Sequence, residues 1–60
     1  PGVAEATRVL LRRLPDRLLL RDPDHPDVEH LRLLAGEKRV PVVVDPTMPL
    51  QATALIQDLS

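Results

Sequence analysis

The sequence predicts an α/β fold, an α-β-α-β-α unit with a two-stranded parallel sheet at its centre. Three observations predict it. "RLLLR", Arg17 to Arg21, and "VPVVV", Val40 to Val44, are short runs that are apolar on both faces, the pattern of strands in a parallel sheet. Between them Val28, Leu31, Leu34 and Ala35 recur at helical spacing. Strand, helix and strand joined by short loops make a βαβ unit, with parallel strands and a right-handed crossover.

The first helix is read from Val3 to Leu14. Val3, Ala6, Leu10 and Leu14 fall on one face, with Arg8, Arg12 and Arg13 off it. Pro15 ends it, because the residue before a proline avoids helical dihedrals. "RLLLR" then has too few residues between Pro15 and Pro23 for another helix. "DPDHPD", Asp22 to Asp27, is a loop by composition. It also launches the second helix: Asp24 or His25 can cap it, Pro26 suits its first position, and Asp27 and Glu29 load the first turn with negative charge. Gly36 is the expected stop. Pro41 sits near the start of the second strand, where a missing donor does least harm. In "TMPLQATALIQDLS" the spacing of Ala52, Leu55, Ile56 and Leu59 predicts a third helix, capped by Thr47 or Met48 with Pro49 or Leu50 in its first turn.

With 60 residues, residues 1–60 are expected to form one small α/β domain or a domain fragment. A chain of this length buries only about 60% of its unfolded surface. It has no cysteine and no Phe, Tyr or Trp, so disulfides are excluded and the core must be aliphatic. Two strands that are apolar on both faces need cover above, below and at both edges. The expected partners are therefore a second copy, in a homo-oligomer, or a larger protein that completes the sheet. The net charge is −1 with both signs interspersed, which argues for no nucleic acid partner, since such partners want clustered Lys and Arg. Stacking of bases on aromatic rings is impossible. No apolar run approaches the roughly 18–20 residues of a membrane span, so no membrane is expected, and a helix pattern starting at Pro1-Gly2 suggests no signal peptide and a cytoplasmic, reducing compartment. The weight on Arg, Leu and Pro suggests a GC-rich, bacterial coding sequence.

In open parallel sheets ligands bind beyond the carboxyl ends of the strands. Asp22, Asp24 and His25 follow the first strand and form a possible loop site; Asp45 follows the second. These oxygen and imidazole groups are also ordinary turn and cap residues, and no metal site is assigned to them. Asp45 is read either as a site carboxylate or as the turn former before Pro46. His30 is expected on the surface. The chain has no nucleophile-base-acid set, and Gly2 and Gly36 are too few and too far apart for a phosphate loop.

"LLLRDPDHPDVEHLRLLAGEKRVPVVVDPTMPLQ" resembles the cofactor domain of fold-type I pyridoxal-phosphate (PLP) enzymes of the Cys/Met-metabolism, or trans-sulfuration, group. Arg21-Asp22-Pro23-Asp24-His25-Pro26 stands against the family's Glu-Ser/Thr-Pro-x-Asn-Pro. Asp45-Pro46-Thr47-Met48-Pro49-Leu50-Gln51 stands against its Asp-Asn-Thr-Phe segment. The resemblance implies that Asp45 pairs with the pyridinium nitrogen of pyridoxal phosphate and that Thr47 lies beside the cofactor. The Schiff-base lysine has no counterpart, because Lys38 precedes the second strand, so the resemblance implies a fragment or a degenerate relic that is not catalytic alone. The alternative is a small non-catalytic binding or dimerisation module. The same stretch is similar to a response-regulator receiver domain, with Asp22 as phospho-acceptor and Thr47 as switch hydroxyl. "EHLRLLAGEKRVPVVV" is similar to the L7Ae-type fold of RNA proteins, against which the low basic charge counts.

Overall fold

A computed structural model of the chain describes residues 1–49 and 51–59. Helix α1 spans Val3–Arg12, strand β1 Arg17–Leu20, a 3-10 turn Pro26–Val28, helix α2 Glu29–Lys38, strand β2 Val42–Val44 and strand β3 Ala54–Gln57. The α/β class stands. The sheet has three strands of mixed direction in the order β2-β1-β3. β1 runs parallel to β2, with Leu18, Leu19 and Leu20 opposite Val42, Val43 and Val44. It runs antiparallel to β3, with Arg17 opposite Gln57 and Leu20 opposite Ala54.

The predicted third helix is the main error in the secondary structure. Residues 45–49 and 51–53 form turns instead, through Met48 N–H to Asp45 O at 3.3 Å and Ala52 N–H to Pro49 O at 2.9 Å. Ala54 to Gln57 then pair with β1. Leu50, assigned to the first turn of that helix, lies outside the described residues. The physical reason is a tertiary one. β1 has two edges, and pairing both satisfies its backbone groups, whereas a helix would leave one edge bare. "ALIQ" is short enough to fit either period. The second edge of β1 is therefore closed from within the chain, and the predicted two-stranded sheet is corrected to three strands.

Burial alternates along β1: Leu18 and Leu20 are fully buried while Arg17 and Leu19 are only partly covered. Both helices thus lie on one face of the sheet, not one on each. The core joins Ala6 and Leu10 of α1, Leu31 and Ala35 of α2, Leu18, Leu20 and Ala54 of the sheet, with Val28 and Val40. The helices also meet through Thr7. Its hydroxyl donates to Val3 O at 2.8 Å and so accepts from His30 Nε2 at 2.9 Å. The opposite face presents Val43, Leu19 and Leu55 in register, and β2 leaves Val42 and Val44 exposed at the edge.

α1 ends at Arg12, two residues before the predicted end, because Arg13 is already extended. α2 runs through Gly36, the expected stop. It ends at Lys38, and the residue that caps it is Arg39 at φ 59° and ψ 34°. Val40 N–H reaches Ala35 O at 2.9 Å, the six-to-one bond of a left-handed helix terminus. Arginine fills a position that glycine usually takes. Pro41, lacking a donor, uses its carbonyl to accept Leu18 N–H at 2.8 Å. Among the described residues no helix is long and apolar enough to cross a membrane.

Candidate functional site

The chain has two chemically distinct ends. α1 and α2 finish where β1 and β2 begin, so this end collects Arg12, Arg13, Arg17, Lys38 and Arg39, with Arg8 one turn up α1. At the other end, where β1 and β2 finish, lie Asp22, Asp24, Asp27, Glu29 and Asp45, with Glu5 at the start of α1. Topology partly sorts the charges that look interspersed in the sequence: the first end carries those six cations against Asp16, Glu37 and Asp58, and the second those six carboxylates with Arg21.

At the basic end Arg13 grips Asp58 through both oxygens, at 2.7 and 2.9 Å. That bond holds the Asp58 carboxyl below the ordinary aspartate range. The Asp16 carboxylate accepts the amide of Leu59. Together these bonds tie the entry to β1 to the exit of β3. Arg8, Arg12, Arg17, Lys38 and Arg39 make no ion pair among the described residues. Arg8, Arg12 and Arg13 line an open trough along the outer face of α1, with Glu5 and Val9.

At the acidic end the chain leaves β1 in a tight turn. Asp22 Oδ1 accepts Asp24 N–H at 3.0 Å, and His25 N–H reaches Asp22 O at 3.2 Å. His25 is the cap: its Nδ1 accepts Asp27 N–H at 3.1 Å, so the ring proton sits on Nε2. The Asp27 carboxylate lies 3.8 Å from the same Nδ1, and pairing there would require protonation and loss of the cap. Arg21, Asp22, His25, Ala52 and Thr53 line a cleft of about 210 Å³. The Nε of Arg21 is buried without a hydrogen-bond partner. Of the residues expected to form a loop site, Asp22 and His25 share this cleft and Asp24 does not line it.

Asp45 lies on the other side of β1, its N–H bonded to Leu20 O at 2.9 Å. Its Oδ1 accepts both the hydroxyl of Thr47 at 2.6 Å and the amide of Thr47 at 2.9 Å. The hydroxyl first and the amide second hold the Asp45 carboxyl below its ordinary range, against a smaller desolvation effect. This is the geometry of a side-chain-capped turn. Among the described residues no group of three or more His, Asp or Glu is placed to hold a metal ion.

The family described as the PELOTA RNA binding domain matches residues 1–58. The chain belongs to that family. A curated relative, the cysteine protease StiP of Acinetobacter baylyi, is 49% identical over 61 aligned residues, which cover 98% of this chain and 16% of that protein. The chain therefore corresponds to about a sixth of that relative's length. No solved structure matches it.

Membership of the PELOTA RNA binding domain family overturns the expectations drawn from resemblance. None of the three resembled families is the one that matches, and the pyridoxal phosphate reading is withdrawn, both as function and as cofactor. What misled is physical: apolar strand, helix and valine-rich strand describe a local architecture that many families share. The family also overturns the exclusion of nucleic acid. Net charge averages over the chain, whereas a binding surface depends on where the charges sit. Arg8, Arg12 and Arg17 carried no functional role in the sequence reading. Their grouping becomes visible only once the strand order and helix directions are known.

Proposed function

We propose that the chain is an RNA-binding module whose basic end meets the phosphate backbone. Membership of the PELOTA RNA binding domain family carries this reading, and the segregation of charge supports it. Arg8 and Arg12 on α1, Arg17 at the start of β1 and Lys38 and Arg39 at the end of α2 are cations with no carboxylate partner among the described residues. Phosphate contacts of this kind supply affinity without sequence selectivity. Arg13 serves structure, because its charge is spent on Asp58.

The StiP relative is named a cysteine protease. This chain has no cysteine, so we assign it binding and not peptide-bond chemistry, and place any such activity in other parts of a longer protein. Residues 1–60 are taken as one small α/β unit.

Fluorescence anisotropy with a labelled RNA hairpin and a single strand tests the reading. Binding should weaken with salt, with a log-log slope of roughly −0.7 to −0.9 for each phosphate neutralised. Reversing Arg8, Arg12 and Arg17 to glutamate should lower affinity at least about tenfold and flatten that slope by roughly 0.7–0.9 for each phosphate no longer neutralised. No binding at low salt, or a triple variant that binds like the parent, rejects the proposal.

A further inference from the structure

We propose that β2 is a pairing edge for a second copy of this chain, joined antiparallel about a two-fold axis beside Val43. The proposal stands apart from the RNA-binding reading. β2 ends the sheet. Pro41 O accepts Leu18 N–H at 2.8 Å and Asp45 N–H reaches Leu20 O at 2.9 Å, so residues 41, 43 and 45 turn their backbone groups toward β1. Val42 and Val44, between them, turn theirs away from the sheet. Edges of this kind are usually blunted by charge, by proline or by a covering element. Val42, Val43 and Val44 carry no charge and are 38%, 36% and 50% exposed. Val42 and Val44 lie level with the buried Leu18 and Leu20, so the helix layer stops short of them. The other edge differs. Thr53 N–H donates to Pro1 O at 2.9 Å and the Ala54 carbonyl lies against Gly2, so the N-terminal residues occupy the start of β3.

Charge decides the occupant and its direction. Arg39 precedes β2 and Asp45 follows it, both without an ion pair among the described residues. Both bonds from Thr47 fall on Asp45 Oδ1, which leaves Oδ2 to accept. A parallel copy would set Arg39 beside Arg39 and Asp45 beside Asp45. An antiparallel copy brings Arg39 of each chain toward Asp45 of the other, so a second copy supplies the complementary charge at both ends of the edge. The backbone fixes the register. Val42 opposite Val44 of the second copy, and the reverse, uses every outward N–H and C=O of the two valines. Val43 then faces its own counterpart in a non-hydrogen-bonded pair, where side chains come closest. On that face Leu55, Leu19 and Val43 of each copy join in one apolar row. The ladder extends no further: in the next pair, Pro46 has no N–H and that of Val40 is held by Ala35 O. A strand of 3 residues gives a contact below the roughly 1,200 Å² of a lasting interface, so the dimer is concentration-dependent. Arg8, Arg12, Arg17 and Lys38 take no part in it.

Sedimentation equilibrium of the chain from about 10 μM to about 1 mM tests the proposal. The mass should rise with concentration from one chain toward two and no further, and should fall back as salt is raised. Val43 is exposed, so a charge there leaves the core in place. Val43→Lys and Val43→Glu should each stay monomeric, because like charges would face each other across the axis. An equimolar mixture of the two should recover the dimer. Val44→Pro removes an outward donor and leaves the ladder with β1 untouched; it should be monomeric with its circular dichroism unchanged. One-chain mass at every concentration, growth beyond two chains, a Val43→Lys or Val44→Pro variant that pairs like the parent, or a lysine–glutamate mixture that stays monomeric overturns the proposal.

Discussion

Gly2→Ala and Gly36→Ala add the same methyl group and should move stability in opposite directions. Gly2 caps α1 at φ 93°, a left-handed conformation that costs an L-residue about 1–2 kcal/mol. A β-carbon there would lie 2.1 Å from the carbonyl oxygen of Ala54, a backbone atom. The N-terminal turn would have to lift off β3, straining the 2.9 Å bond from Thr53 N–H to Pro1 O, worth about 0.5–1.5 kcal/mol. The loss should be about 2–3 kcal/mol, which at roughly 4–8 °C per kcal/mol for a domain of this size lowers Tm by about 10 °C or more. Gly36 sits inside α2, and a β-carbon there meets nothing within 4 Å. Alanine should add about 0.5–1 kcal/mol, from the lower entropy of the unfolded chain and better helix propensity. Urea and thermal unfolding followed by circular dichroism would read both changes. A neutral Gly2→Ala would show that the cap conformation is not held in solution. A destabilising Gly36→Ala would show that α2 does not continue through Gly36.

Arg39→Gly should raise stability by about 1 kcal/mol, since φ 59° at the end of α2 is strained for arginine and free for glycine; unchanged urea unfolding would contradict that terminus. Leu31→Ala, in the fully buried core, should cost about 2–5 kcal/mol, while Leu33→Ala on the exposed side of the same helix should stay within about 0.5 kcal/mol. Comparable losses would mean that α2 presents a different face to the sheet. Asp45 has its folded pKa depressed below the ordinary 3.8 by Thr47. Its contribution to stability is therefore present above that value and is lost as pH falls through the lower folded pKa. Thr47→Val removes the larger cause, so an NMR titration of the Asp45 carboxyl should show its pKa moving up toward 3.8; no movement would remove the hydroxyl bond from the account.

Much of the local structure was legible in the residues. The period of Val3, Ala6 and Leu10 buries one face of α1 whatever it packs on, Pro15 limits its extent, and the run from Arg17 to Leu20 is too short and too apolar to be anything but a strand. His25 and Pro26 start the turn into α2 through bonds within a few residues, and Asp45 and Thr47 close theirs in the same way. These outcomes depend on near neighbours in the chain, so near neighbours suffice to predict them. Three things were decided by packing between distant segments. Ala54 to Gln57 became a strand because β1 had an edge to fill, and the helix-compatible spacing of Leu55, Ile56 and Leu59 had no influence on that need. Both helices took the same face of the sheet, leaving Val43 and Leu55 exposed and Leu19 only partly covered, which the symmetric greasiness of the strands conceals. The charges, balanced along the sequence, were partly separated by the antiparallel course of helix and strand, most cations to one end and most carboxylates to the other, with Asp16, Glu37 and Asp58 left among the cations and Arg21 among the carboxylates; an electrostatic surface is a property of positions in space, and only the tertiary fold assigns those.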